Sequence, residues 1–341
     1  MTMLITLNSV PDYLKKSKFY LDLIENIDEN NEDNDDDNEN NYITIPDDKL
    51  FNSQIITVDD LKNFLETCRF WCLDDIPYYF YDYVLNNKKI IKKKFDEIKN
   101  IFFDFKLIKD IEILLFLANN ATNEAALNGK LNLLKYLHLH SHQYPWNEKT
   151  CEYAALNGHL DCLKYAHENG FRWDNKNGFY WDKRTCSNAA SNGHLDCLKY
   201  AHENGCPWDK WICSDTASKG HLDCLKYLHI HGCPWDKETC SNAASGGHLD
   251  CLKYTHENGC LWDKKTCEYA ASGGHLDCLK YAHENSCLWD KKTCSNAAYG
   301  GHLDCLKYAH LHGCPWDEET CSNAAKNGHL DCLKYAHLHG C

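Results

Sequence analysis

The chain runs to 341 residues with a formal net charge of −14, from 36 Lys and Arg against 50 Asp and Glu. Much of that charge gathers in one tract, Glu25 to Glu39, which has no Lys or Arg, and the remainder is only mildly acidic, which argues against a nucleic-acid footprint. No apolar run approaches the ~20 residues of a membrane span and the opening MTMLITLNSV lacks the features of a secretory signal, so the 22 cysteines read as reduced thiols of a cytoplasmic, non-secreted protein.

Residues 1–118 are expected to form a small α+β or α-rich N-terminal domain. A helix is predicted over 11–25, with Tyr13, Leu14, Phe19, Leu21 and Leu23 apolar. The acidic, Asn-rich stretch 25–41 buries too little apolar surface to fold and reads as a disordered loop. YITIPDD, 42–48, alternates like a short strand. Within 56–87, Leu61, Phe64, Leu65, Cys68, Phe70, Trp71 and Cys72 share an amphipathic helix that Asp74 and Asp75 end before Pro77, and a second, aromatic helix follows. Lys88, Lys89, Lys92, Lys93 and Lys94 flank Ile90 and Ile91, the pattern of a solvated helix face. Apolar residues including Ile108, Ile111, Leu114 and Leu115 place a helical cap over 95–118.

From 119 to 341 the chain repeats itself. A histidine recurs at His194, His221, His248, His275, His302 and His329 with a period of 27, with earlier copies at His159 and, degenerately, Lys130, giving eight units. Each unit reads as two short helices. In the second, Leu249, Cys251, Leu252, Tyr254, Thr255 and His256 fall on one arc, with Gly259 as the left-handed stop. In the first, Asp236 or Thr239 caps the start, Ala243 and Ala244 admit a neighbouring backbone, and Gly246 with Gly247 ends it. Neither helix can bury its face alone, so the units must stack. The eight-residue piece NGFRWDNK is duplicated in place as NGFYWDKR over 169–184, so either Trp173 or Trp181 fills the framework slot and the rest bulges out.

The repeat T-C-S-N-A-A-x-x-G-H-L-D-C-L-K-Y-x-H-x-x-G-C-x-W-D resembles the ankyrin repeat. Its glycine-histidine turn, double alanine and terminal glycine align, whereas Cys240, Ser241 and Asn242 replace the proline-leucine-histidine start. Trp235 replaces a small valine, and the unit lacks about six residues where ankyrin repeats build a projecting hairpin. The implied fold is an all-α repeat solenoid of ankyrin-like helix-turn-helix units. Short Cys- and Trp-rich units of this kind resemble the ankyrin-repeat proteins of giant amoeba-infecting DNA viruses, which implies a host protein as partner. In the N-terminal part, Leu14, Ser17, Phe19 and Leu23, then Ile43 to Asp47, then Leu61 to Ile76 partially resemble a BTB-type adaptor fold, although the opening strands of that family have no evident counterpart. A bland α-rich domain is the other reading.

No catalytic constellation survives scrutiny. His248, Asp250 and Cys251 have the residue types of a cysteine-hydrolase triad, but at i, i+2 and i+3 of a helix they diverge, and the trio recurs as framework. The glycine-following histidine is instead expected to hydrogen-bond backbone across units. His-x-His occurs at His138/His140, His229/His231, His310/His312 and His337/His339 without any C-x-x-C pair, and reads as polar helix ends rather than a metal site. No metal or cofactor is expected. The periodic cysteines, such as Cys233, Cys240 and Cys251, read as buried small hydrophobes. The recurring corner tryptophans read as a packing ladder.

Function is then expected where the copies differ. Two varied columns face outward: the corner pair and the residue after the double alanine. They supply the candidate partner-binding residues Arg184, Trp211, Glu238, Lys264, Lys265, Lys291, Lys292 and Tyr299, a mostly basic middle stripe suited to an acidic or amphipathic protein segment. Trp211 takes a position that is polar in other copies and reads either as an exposed anchor or as the filler of a local gap. The expected function is a non-enzymatic protein-binding scaffold acting through its concave face. The BTB resemblance implies an alternative, a cullin-type ubiquitin-ligase adaptor. The final copy carries no polar cap, so self-association through Leu330, Cys332 and Leu333 is also expected.

Overall fold

The computed structural model describes residues 3–6, 42–45, 81, 84–85, 88–93, 108–116, 120–140, 146–169, 181–209 and 211–341. The helix expected over 11–25, the acidic loop 25–41, most of the helix pair within 56–87 and the duplicated segment at 170–180 lie outside them. The chain divides into two compact units, one of residues 1–125 and 130–145, the other of 126–129 and 146–341.

In the first unit, β1 (Met3–Thr6) pairs antiparallel with β2 (Tyr42–Ile45), Leu4 facing Thr44 and Ile5 facing Ile43. The alternating YITI strand is therefore present. An opening strand is present as well, which corrects the sequence reading; four residues, MLIT, are too short to show a periodicity. α1 (Lys88–Lys93) buries Ile91 and exposes Lys89 and Lys92, the solvated lysine face expected. α2 (Ile108–Phe116) buries Ile111, Ile113 and Leu114 and is followed by α3 (Ala121–Leu127) and α4 (Leu131–Leu139). Buried Asp110 accepts from the Tyr81 hydroxyl at 2.9 Å and pairs with Lys130 Nζ at 2.7 Å. That ion pair gives a reason for a lysine at the degenerate copy's histidine position: a buried carboxylate needs a charge partner.

The second unit stacks helix pairs: α5 (Glu148–Leu156) with α6 (Leu160–Asn169), α7 (Lys183–Ser191) with α8 (Leu195–Glu203), and α9 (Ile212–Ser218) with α10 (Leu222–Ile230). There follow α11 (Lys237–Ser245) with α12 (Leu249–Glu257), α13 (Lys264–Ser272) with α14 (Leu276–Glu284), α15 (Lys291–Gly300) with α16 (Leu303–Leu311), and α17 (Glu318–Lys326) with α18 (Leu330–Leu338). This is the all-α repeat solenoid that the periodicity implies. First helices of successive units pack closely on one another, and second helices meet more sparingly.

The local chemistry repeats with the sequence. Asp236 is extended, and its carboxylate accepts from the Glu238 amide at 2.9 Å, as Asp182, Asp263, Asp290 and Asp317 do for the residues two places on. The cap is thus the aspartate; Thr239 is fully buried. Cys240, Ala243, Ala244, Cys251, Leu252 and Thr255 are buried in one unit, and their equivalents fill the core along the array.

Gly247, at φ +73°, starts the turn into α12, and a Cβ there would collide with the ring of His275 from the next unit. The glycine-histidine turn is therefore an inter-unit joint. At its first occurrence His159 Nε2 lies 3.2 Å from the Leu127 carbonyl, the backbone bond across units that the sequence implied.

Candidate interaction surface

The corner tryptophans belong to the frame. From Trp208 onward each lies flat on the last-turn histidine of the preceding helix: His202 on Trp208 at 3.9 Å, His229 on Trp235 at 3.9 Å, His256 on Trp262 at 3.7 Å, His283 on Trp289 at 3.7 Å and His310 on Trp316 at 3.9 Å. A tyrosine of the next second helix closes each set, with His202 Nδ1 2.9 Å from the Tyr227 hydroxyl and His229 Nδ1 2.9 Å from that of Tyr254. Of the two duplicated tryptophans, Trp181 takes the slot, buried, with its indole N–H donating to the Asn204 carbonyl at 2.8 Å.

The cysteines are free and, apart from partly exposed Cys321 and Cys341, buried among the described residues. Burial pushes the Cys251 thiol up to about 11, with Asp250 adding to it, so Cys251 is protonated at neutral pH. His248 sits at the N-cap of α12 and Asp250 faces solvent, so the three residues of the imagined triad serve the frame. Stacking also creates a neighbour relation that single-column reasoning missed. Cys267 meets Cys287 twenty residues on, its thiol 4.0 Å from the Cys287 carbonyl, and that contact together with burial drives its pKa upward.

The outward columns divide into two kinds. Lys264 Nζ lies 2.6 Å from Asp290 and Lys291 Nζ 2.7 Å from Asp317, and Lys183–Asp209 at 3.2 Å and Lys237–Asp263 at 2.9 Å extend the pattern. Each lysine thus reaches the capping aspartate of the next unit. The hydrogen bond from Lys291, assisted by the Glu319 amide, holds Asp317 below the usual carboxylate range despite its desolvation. The stripe is consequently less basic than its composition, because Lys264 and Lys291 are already neutralised. Arg184 is engaged too, with Nη2 2.8 Å from Asp182 and Nε 3.6 Å from Glu152 of the preceding unit.

The second corner position is freer. Lys265 and Lys292 are exposed, and their side chains make no ion pair among the described residues. Glu238 is half-buried with its carbonyl accepting from Ser241. Trp211 is 46% exposed at the N-cap of α9, its amide accepted by Asp209 at 3.0 Å, so it does not fill an interior gap. Tyr299, after the double alanine, is 56% exposed. Sequence comparison of the columns missed Tyr269, exposed beside buried Glu268; both occupy positions that are Asn and Ser in most copies.

Among the described residues no three His, Cys, Asp or Glu side chains gather as a metal centre, and no helix is long and apolar enough to cross a membrane. Among solved structures the chain is similar to the human ASB11 ankyrin repeat domain, with a TM-score of 0.39 and 21% identity over 49% of this chain and 84% of that one. No protein-family model matches the chain, and no curated protein does.

Proposed function

We propose that the repeat array is a non-enzymatic scaffold that binds a protein partner along its first-helix layer, with Trp211, Glu238, Lys265, Lys292 and Tyr299 as contacts. Lys264, Lys291 and Arg184 support that surface as inter-unit ties. One observation carries the reading: on the first helices, the residues that recur in step are buried or paired between units, whereas the exposed ones differ from copy to copy. Function in a stacked frame lies in such differences. The close packing of first helices against the sparser contact of second helices supports the first-helix layer as the concave side. An exposed tryptophan with two unpaired lysines two and three units further along suits an extended amphipathic segment bearing carboxylates. Taken with the giant-virus resemblance, the partner is a host protein. Affinity capture with the intact chain and with Trp211→Ala/Lys265→Glu/Lys292→Glu tests this. A partner retained equally by both sinks it.

The adaptor reading gains one observation, the opening strand Met3–Thr6 paired with Tyr42–Ile45. If the N-terminal domain recruits a cullin, the intact chain captures one and Ile5→Pro, which breaks the strand pair, does not. Failure of the intact chain to capture a cullin removes that role and leaves the scaffold untouched.

A further inference from the structure

Stacking brings together histidines that the sequence keeps apart. In the His-x-His ends of α10, α16 and α18 the two histidines do not pair with each other. The second turns back toward the preceding unit: the ring centre of His231 lies 5.2 Å from that of His202, His312 lies 5.6 Å from His283, and His339 lies 5.4 Å from His310, each pair edge-on.

One tyrosine holds both rings of a pair. Tyr227 meets His202 Nδ1 through its hydroxyl at 2.9 Å, and its carbonyl accepts from His231 Nδ1 at 2.8 Å. Tyr335 does the same for His310 at 2.9 Å and His339 at 2.7 Å. The Tyr308 carbonyl accepts from His312 Nδ1 at 2.8 Å while its ring stands edge-on to His283. A carbonyl only accepts, so His231, His312 and His339 carry their proton on Nδ1 and a lone pair on Nε2. An imidazole tied through one nitrogen and open at the other is how histidines are held as metal ligands.

The spacing fits a shared ion. With a metal–nitrogen bond of about 2.0–2.1 Å and the ring centre about 1.1 Å beyond, two imidazoles at a tetrahedral to trigonal angle have centres roughly 5.2–5.5 Å apart.

We propose that His202/His231, His283/His312 and His310/His339 are three zinc(II) sites, each clipping one unit to the next, with water completing the coordination. Glu203 and Glu284 stand near enough to influence the first histidines of two pairs electrostatically, whereas Leu311 takes that place in the third, which is the weakest site. The first histidine of each pair is held in place by the indole it stacks on, His202 on Trp208, His283 on Trp289 and His310 on Trp316.

The array contains its own control. Where the second histidine is absent, Asn258 donates to the Tyr254 carbonyl at 2.7 Å and Asn285 to that of Tyr281 at 2.8 Å. Asparagine therefore keeps the helix-end bond without offering an imidazole. The test uses the intact chain, stripped of metal, and zinc(II) as probe, read by equilibrium dialysis and by the zinc-induced shift in thermal midpoint. The triple variant His231→Asn/His312→Asn/His339→Asn is expected to bind three fewer zinc ions and to lose most of the shift. Asn258→His and Asn285→His, which complete pairs with His229 and His256, are each expected to add one ion. Equal zinc uptake by the intact chain and the triple variant, or no uptake by either, overturns the proposal.

Discussion

His256 lies flat on Trp262, ring centres 3.7 Å apart and planes 8° from parallel, while its Nδ1 sits 3.0 Å from the Tyr281 hydroxyl of the next unit. One side chain thus joins a helix end, the corner that follows it and the neighbouring unit. Deleting the indole removes the stack, the edge contact to Tyr281 and apolar burial together. Trp262→Ala is expected to destabilise the array by about 2–4 kcal/mol, whereas Tyr281→Phe, which removes only a hydroxyl, costs roughly 0.5–1.5 kcal/mol. Urea denaturation followed by far-UV circular dichroism measures both; equal effects would contradict the stacking account.

The turn after each second helix provides a cleaner comparison. Its left-handed residue is glycine at Gly205, Gly232, Gly259, Gly313 and Gly340 but serine at Ser286, with φ +66°. A side chain there is strained by about 1 kcal/mol, partly offset by glycine's greater freedom when unfolded. Ser286→Gly is accordingly expected to stabilise the protein by roughly 0.5–1 kcal/mol. The converse test is Gly247→Ala, which meets both a positive φ and the His275 ring, against Gly259→Ala, which meets only the positive φ. Denaturation midpoints should fall further for Gly247→Ala; the reverse order would show that the glycine-histidine joint carries no packing.

Acid should loosen the array in two stages. Burial lowers the pKa of His202, His283 and His310, and likewise of His159, His167 and His221, below the ordinary 6.5. The unfolded chain then binds more protons than the folded one, so their contribution is whole above about pH 6.5 and is lost as pH falls toward the folded values. Asp182, Asp263, Asp290 and Asp317, with lowered pKa, contribute above about pH 4 and lose that contribution below it. Metal-free protein unfolded in urea at pH 7.5, 6.0 and 5.0 should show a steadily falling midpoint. A flat profile down to pH 5.0 would mean that the histidines are as well solvated folded as unfolded.

Much of the frame was legible because stacking imposes the same demand at every copy. Asp236, Gly247, Ala243 and Ala244 announce a cap, a turn and a close approach through residue type alone. What escaped the sequence depends on which residue of one unit meets which residue of another. Lys264 and Asp290 lie 26 residues apart and His202 and His231 lie 29 apart, offsets that straddle the 27-residue period. Columns aligned at the period compare equivalent residues and so cannot show these contacts. The basic stripe was overestimated for this reason. Trp181 and Trp173 were equivalent on paper, since both precede Asp in the same duplicated octapeptide, and only the packing against His167 and the Asn204 carbonyl distinguishes Trp181.

The most direct test of the scaffold compares the two helix layers of the same array. Once a captured protein is purified, its dissociation constant is measured for the intact chain, for Trp211→Ala/Lys265→Glu/Lys292→Glu, and for Leu311→Ser/Leu338→Ser, which alters exposed residues at the ends of the second helices α16 and α18. A first-helix binding face predicts at least about tenfold weaker binding for the first variant, equivalent to about 1.4 kcal/mol, and no change for the second. Weakening by the leucine substitutions alone would contradict the account and place the partner on the second-helix layer.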